Sequence, residues 1–199
     1  MPNEQTLDCR GLACPGPVMR CLDVIEKHAP ETLVVLVDDP AANENVTRLL
    51  SGKGYAVAAA EAVGHTVLRA ARSGPSAMPA ASTCASGQET VAVFIASEAI
   101  GAGDDELGGK LMLNFLATLP ELGASLWRVI LVNGGVRLAT TGHPCLDKLQ
   151  ALAAAGVSVL VCGTCLTFFG LMEAKQVGET TNMLDVVTSL HLAGKVIRV

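Results

Sequence analysis

The stretch LDCRGLACPGPVMR, residues 7–20, ends a short alternating run and then sets Cys14 directly before Pro-Gly-Pro. Proline suits the first helical position, because it has no N–H to leave unsatisfied and its φ is already near the helical value. The stretch therefore reads as a strand end, a turn and a helix start, with Pro15 at the first helical position and Cys14 expected at the N-cap. A sulfur placed there faces free backbone N–H groups at the positive end of the helix dipole. Such a setting favours thiolate and lowers thiol pKa values into a range of roughly 3.5–7.5. The same amides would stabilise a terminal persulfide anion. Cys9 and Cys21 fall on apolar faces and read as core residues.

Working outward, residues 15–28 carry Val18, Leu22 and Ile25 on one helical face, and TLVVLVD reads as a buried strand. A helix over residues 41–50 follows, then a hairpin of YAVAAAEA and HTVLRAAR turning at Val63-Gly64. The order is βαβαββ over residues 1–72, a two-layer α/β sandwich. Residues 73–89, SGPSAMPAASTCASGQE, are rich in Ser, Ala, Pro and Gly and read as a flexible linker, with Cys84 an incidental thiol within it. Residues 90–199 alternate strands and helices again, which implies a mainly parallel sheet covered on both faces. There TVAVFIAS, WRVILVN, VSVLVC and KVIRV are the strands. Helices are expected over residues 104–119, with Leu107, Leu111, Phe115 and Leu119 as the apolar stripe, and over 144–156, 166–174 and 183–193.

Half of the 199 residues are hydrophobic but only 3% are aromatic, so Ala, Val and Leu build the core. Residues 1–75 carry 7 basic and 9 acidic side chains and the remainder 7 and 10, for a net charge of −5. No basic patch offers a nucleic-acid surface. No apolar run reaches the roughly 18 residues of a membrane span, and the N-terminus has no basic segment leading into an apolar one. A cytoplasmic protein with no membrane partner is expected. Seven cysteines without regular spacing then favour reactive or buried thiols over structural disulfides.

The second thiol stretch is VSVLVCGTCLTFFG, residues 157–170. Cys162 falls at the carboxyl end of a buried strand and Cys165 at the start of the next helix, with Gly163 allowing the bend. Open α/β sheets bind ligands outside the carboxyl ends of their strands. A structural zinc site would need two more ligands, and His143 and Cys145, separated by Pro144 alone, do not match the usual spacing. A thioredoxin-like site would follow the first strand of its domain, whereas this pair follows the third. A Cys162–Cys165 disulfide stays open as a step or a resting form.

Other signals read as structure. GAGDDELGGK has the wrong glycine spacing for a phosphate loop, and its acids complement a helix N-terminus. His143 beside Cys145 suggests a base and a nucleophile, but Pro144 explains the stretch as a helix start. His65 lies in a hairpin and reads as a surface residue.

The residues Leu-Asp-x-x-Gly-Leu-x-Cys-Pro-x-Pro make residues 6–72 resemble the TusA/SirA family of small sulfur carriers, and the resemblance implies that Cys14 bears a persulfide. The C-terminal half resembles the DsrE/YchN family, in which a cysteine after a central strand relays sulfur in oligomers. That implies an active role for Cys162, with Cys165 an addition relative to many members, and a homo-oligomer formed through the C-terminal domain. The combination resembles the YedF group of two-domain proteins associated with selenium metabolism. Cys14, Cys162 and Cys165 are thus the candidate catalytic residues of a sulfurtransferase-like carrier without metal or other cofactor. A cysteine desulfurase or another sulfur or selenium donor protein is the expected partner, and the acceptor is open. The competing expectation is a redox-regulated interaction module that switches through a Cys162/Cys165 disulfide without turnover.

Overall fold

Leu33, Val35 and Val37 alternate along one strand and are all buried, which gives the N-terminal sheet one apolar face. The computed structural model describes residues 4–73 and 90–199, and the chain divides into two compact units, Met1–Thr83 and Cys84–Val199. Cys84 and nearly all of the expected linker lie outside the described residues. In the first unit, β1 (Glu4–Asp8), α1 (Gly16–His28), β2 (Thr32–Val37), α2 (Pro40–Gly52), β3 (Tyr55–Ala62) and β4 (His65–Arg72) follow the expected βαβαββ order. The sheet order is β1-β2-β4-β3, with β1 parallel to β2 and β4 antiparallel to both of its neighbours.

Register decides what that sheet presents. Leu33, Val35 and Val37 lie opposite Ala70, Leu68 and Thr66, so these side chains share a face. Val18, Cys21 and Ile25 of α1 and Ala41, Val46 and Leu50 of α2 are buried with it. Burying each of the Val, Leu and Ile side chains among them stabilises the fold by about 1.5–3 kcal/mol. At the start of α2, Asp39 accepts the Ala42 N–H at 3.0 Å ahead of Pro40. The β3–β4 hairpin turns at Val63-Gly64 as expected, with Gly64 at φ +77°.

The second unit holds β5 (Val91–Ile95), α3 (Asp105–Thr118), β6 (Leu126–Leu131), α4 (Leu146–Ala154), β7 (Ser158–Cys162), α5 (Gly163–Phe168), β8 (Glu179–Thr181), α6 (Met183–Leu192) and β9 (Lys195–Arg198). Short 3-10 segments, Leu119–Ser125 and Asn133–Ala139, follow α3 and β6. All five strands are parallel in the order β8-β7-β6-β5-β9. Progression from β5 to β8 runs one way across the sheet and the step to β9 runs back. Right-handed crossovers therefore put α6 on the face opposite α3 and α4. Among the described residues, no helix is long and apolar enough to cross a membrane.

Three local expectations are corrected. Helix α1 begins at Gly16, so Pro15 is its N-cap and Cys14 lies one residue outside, because the Gly16 N–H is taken by Ala13 C=O at 2.7 Å. On α3 the buried row is Gly108, Met112 and Leu116, while Leu107 and Leu111 are 57% and 43% exposed. Close approach selects that row: a Cβ on Gly108 would lie 2.8 Å from Ala99 Cβ, and Gly108 C=O accepts the Ile100 N–H at 3.1 Å. The helix expected over residues 166–174 is instead α5, which starts at Gly163 and stops at Phe168. Gly170 at φ +66° ends it, with the Leu171 N–H returning to Leu166 C=O at 2.8 Å.

Candidate functional site: two cysteine centres

In the first unit the loop between β1 and α1 is built residue by residue from the motif. Asp8 takes the Arg10 guanidinium on both oxygens, at 2.9 and 2.6 Å, which holds its carboxyl at about 2. Arg20 on α1 donates to Asp8 C=O at 2.8 Å, tying the helix to the strand end. Gly11 adopts φ +68° and donates its N–H to Asp38 at 2.8 Å, just beyond β2. A Cβ on Gly16 would lie 3.3 Å from Leu12 Cβ, so the glycine admits the leucine over the helix start. Pro17 occupies the first turn of α1, where its missing N–H is not needed.

Cys14 is the one exposed cysteine among the described residues, and its peptide bond to Pro15 is cis. Cys9 and Cys21, by contrast, are buried together. Their mutual hydrogen bond and then burial push the Cys21 thiol far up, so it stays protonated.

In the second unit Cys162 ends β7 and Cys165 lies one turn into α5, as the sequence suggests. Their sulfurs are 2.9 Å apart, a hydrogen-bonding distance well beyond the roughly 2.05 Å of a disulfide. Cys162 is buried and Cys165 half-buried. The neighbouring strand supplies a further contact: Asn133, just past β6, donates its N–H to Cys165 Sγ at 3.1 Å. Asn133 adopts φ +47° to do so, and Gly135 lets this loop close onto β5, since a Cβ there would lie 2.5 Å from Ile95 C=O.

These contacts set the chemistry. Hydrogen bonding from Cys162 lowers the Cys165 thiol, burial opposes the shift, and the Asn133 N–H adds to it; the thiol titrates at about 6. Cys165 is therefore the thiolate of the pair at neutral pH, with a buried thiol beside it. Sequence reasoning missed Asn133 altogether; Asn-Gly-Gly after a strand signals a turn, not a sulfur ligand. It also missed Arg137, which stacks on Phe169 at 4.6 Å and pairs with Glu98 at 3.4 Å, linking the end of α5 to the loop after β5.

The Cys145 and His143 stretch is held as a helix start. Cys145 is buried, and burial pushes its thiol up. The ring of His143 accepts the Cys145 backbone N–H at 3.1 Å and its C=O accepts the Leu146 N–H at 3.0 Å. Asp104 likewise caps α3, accepting the Leu107 N–H at 2.8 Å. Among the described residues no group of three or more His, Cys, Asp or Glu is placed to hold a metal ion.

Comparison with known proteins finds two family models. Sulfurtransferase TusA matches residues 5–70, and the DsrE/DsrF-like family matches residues 69–197. Among solved structures, the chain is similar to a SirA-like protein from Desulfitobacterium hafniense, at 24% identity over 35% of this chain and 97% of that one, with a TM-score of 0.32. It is also similar to the ychN protein of E. coli, at 21% identity over 55% of this chain and 99% of that one, with a TM-score of 0.45.

Proposed function

The chain belongs to the DsrE/DsrF-like family and carries a TusA match ahead of it, and from that premise we propose that it is a cysteine-based carrier of sulfur or selenium. Residues 1–72 act as the carrier domain, 73–89 as the linker and 90–199 as the domain that relays or releases the cargo. The observation that carries the reading is the 2.9 Å approach of a buried thiol to the low-pKa Cys165.

The chemistry is thiolate attack on sulfur, in three steps. Cys14 attacks the outer sulfur of a donor protein's persulfide, a cysteine desulfurase being the expected donor; the donor's S–S bond breaks and Cys14 becomes the persulfide. Cys165 then attacks the outer sulfur of that persulfide and Cys14 leaves as a thiol. Finally Cys162 attacks Cys165 Sγ, which forms the Cys162–Cys165 disulfide and expels hydrogen sulfide, or hydrogen selenide if selenium is carried. An external dithiol restores the pair, taking on the disulfide itself. Both hydrogen sulfide and selenide are reduced products, so this route suits a pathway that consumes the element in that state.

Exposed apolar side chains on the second unit, Leu107 and Leu111 on α3 and Val187 and Leu192 on α6, support self-association through that unit. The short sulfur separation also supports the competing reading, a redox-switched interaction module, because it favours disulfide closure without any cargo. One experiment separates them: incubation with a cysteine desulfurase and cysteine, followed by mass mapping of each cysteine. The carrier reading predicts an added sulfur on Cys14; no label on any cysteine, with a normally reversible Cys162–Cys165 disulfide, favours the switch.

A further inference from the structure

Helix α3 contains two successive glycines, and only the first is explained by packing. Gly108 meets Ala99 and Ile100 at close range, whereas a Cβ on Gly109 would meet nothing within 4 Å. Any ordinary side chain there would favour the helix. The space left open is the edge of a cavity of about 650 Å³ outside the carboxyl ends of β5 and β6, within the size range of small-molecule sites. Asp105, Gly109 and Leu113, spaced one turn apart, form its α3 wall, with Ser97, Glu98 and His143 facing them from the loops after β5 and β6.

We propose that this cavity binds a small zwitterion of the amino-acid class, a single amino acid or a dipeptide. The proposal stands apart from the carrier reading and needs no cysteine chemistry. Its lining carries both signs: the carboxylates of Glu98 and Asp105, and the Lys110 ammonium; Glu98 is shared with Arg137 at 3.4 Å and Lys110 with Glu106 at 2.6 Å, both exposed pairs that yield easily. A phosphate would meet the two carboxylates and a simple cation would meet Lys110. An ammonium held by Glu98 and Asp105 with a carboxylate held by Lys110 satisfies both.

His143 supplies the fixed donor for that carboxylate. Its Nδ1 accepts the Cys145 N–H, so the neutral ring carries its proton on Nε2. Burial lowers the pKa of this half-buried ring, against the pull of Glu98, which keeps it neutral at pH 7. Nε2 lies 3.9 Å from Glu98, too far for a hydrogen bond between them, and the His143 side chain lines the cavity. Leu113, Ala99 and Pro144 give the remaining wall an apolar surface that suits a short side chain.

The test is an NMR titration of the ¹⁵N-labelled full chain with L-serine and glycyl-L-serine, thiol-free probes that cannot exchange with the cysteines. Saturable shifts confined to residues 97–110 and 143–146 are expected for at least one probe. Ethanolamine and propionate, each carrying one of the two charges, bind at least about tenfold more weakly. Gly109→Leu places a side chain in the open space and abolishes binding while the spectrum elsewhere is kept; Asp105→Asn weakens binding about fivefold or more. Absence of saturable shifts with both probes overturns the proposal, as does equal binding of ethanolamine or propionate. If Gly109→Leu fails to fold, undiminished affinity in Asp105→Asn overturns it instead.

Discussion

The backbone N–H of Asn133 points at Cys165 Sγ from 3.1 Å, so the end of one strand conditions a sulfur held at the end of the next. The Cys162 thiol first, and this N–H after it, hold Cys165 at about 6 against the opposing effect of burial, where an ordinary thiol titrates near 9.0. The thiolate predominates above that value, so the rate of Cys165 alkylation by iodoacetamide rises through about pH 6 and is nearly flat above pH 7. In Cys162→Ala the largest lowering contact is gone, and the midpoint moves up toward the ordinary thiol value. Mass-mapped alkylation rates across pH check both; a midpoint that stays put in Cys162→Ala contradicts the assignment.

Gly135→Ala tests how the loop after β6 holds Asn133. The added Cβ would lie 2.5 Å from Ile95 C=O and 3.1 Å from its carbonyl carbon, backbone atoms of a central strand that cannot give way cheaply. A loss of about 1–3 kcal/mol in denaturant unfolding is expected. The Cys165 alkylation midpoint should rise at the same time, because the loop that donates the hydrogen bond has moved. Lost stability with an unchanged midpoint would show that the Asn133 N–H matters little to the sulfur.

Native-state alkylation sorts the other thiols. Cys9, Cys21 and Cys145 are buried; the hydrogen bond with Cys9 and then burial raise the Cys21 thiol, and burial raises that of Cys145. They should stay unmodified at pH 8 while Cys14 and Cys165 react, and become labelled at the rate of unfolding when denaturant is added. Rapid native labelling of Cys145 would reopen its pairing with His143.

Much of this is legible in the sequence. Strand and helix periods read out the βαβαββ order and the parallel sheet, because the apolar runs TLVVLVD and VSVLVC are long and cleanly bounded. Cys-Gly-Thr-Cys at a strand end located the pair, since the glycine bend and the strand boundary are both local signals. What escaped was decided by contacts distant in sequence. Leu107 and Leu111 outrank Gly108 and Met112 as an apolar stripe, yet the approach of Ala99 to Gly108 turns the helix the other way. The placement of Cys14 outside the helix depends on which carbonyl takes the Gly16 N–H. Strand β8 has only three residues, too few for a period, and Asn133 acts through its backbone, which leaves no side-chain trace.

The central claim, that cargo taken up on Cys14 passes to the Cys162/Cys165 pair, is tested most directly by a single-turnover time course. The protein is loaded by a cysteine desulfurase with ³⁴S-labelled cysteine, quenched with alkylating agent, and each cysteine is mapped by mass. Label on Cys14 first, then on Cys165, followed by a Cys162–Cys165 disulfide and free labelled sulfide, is the predicted result, with the later species lost in Cys14→Ser. Label arriving at Cys165 equally fast in Cys14→Ser would contradict the relay.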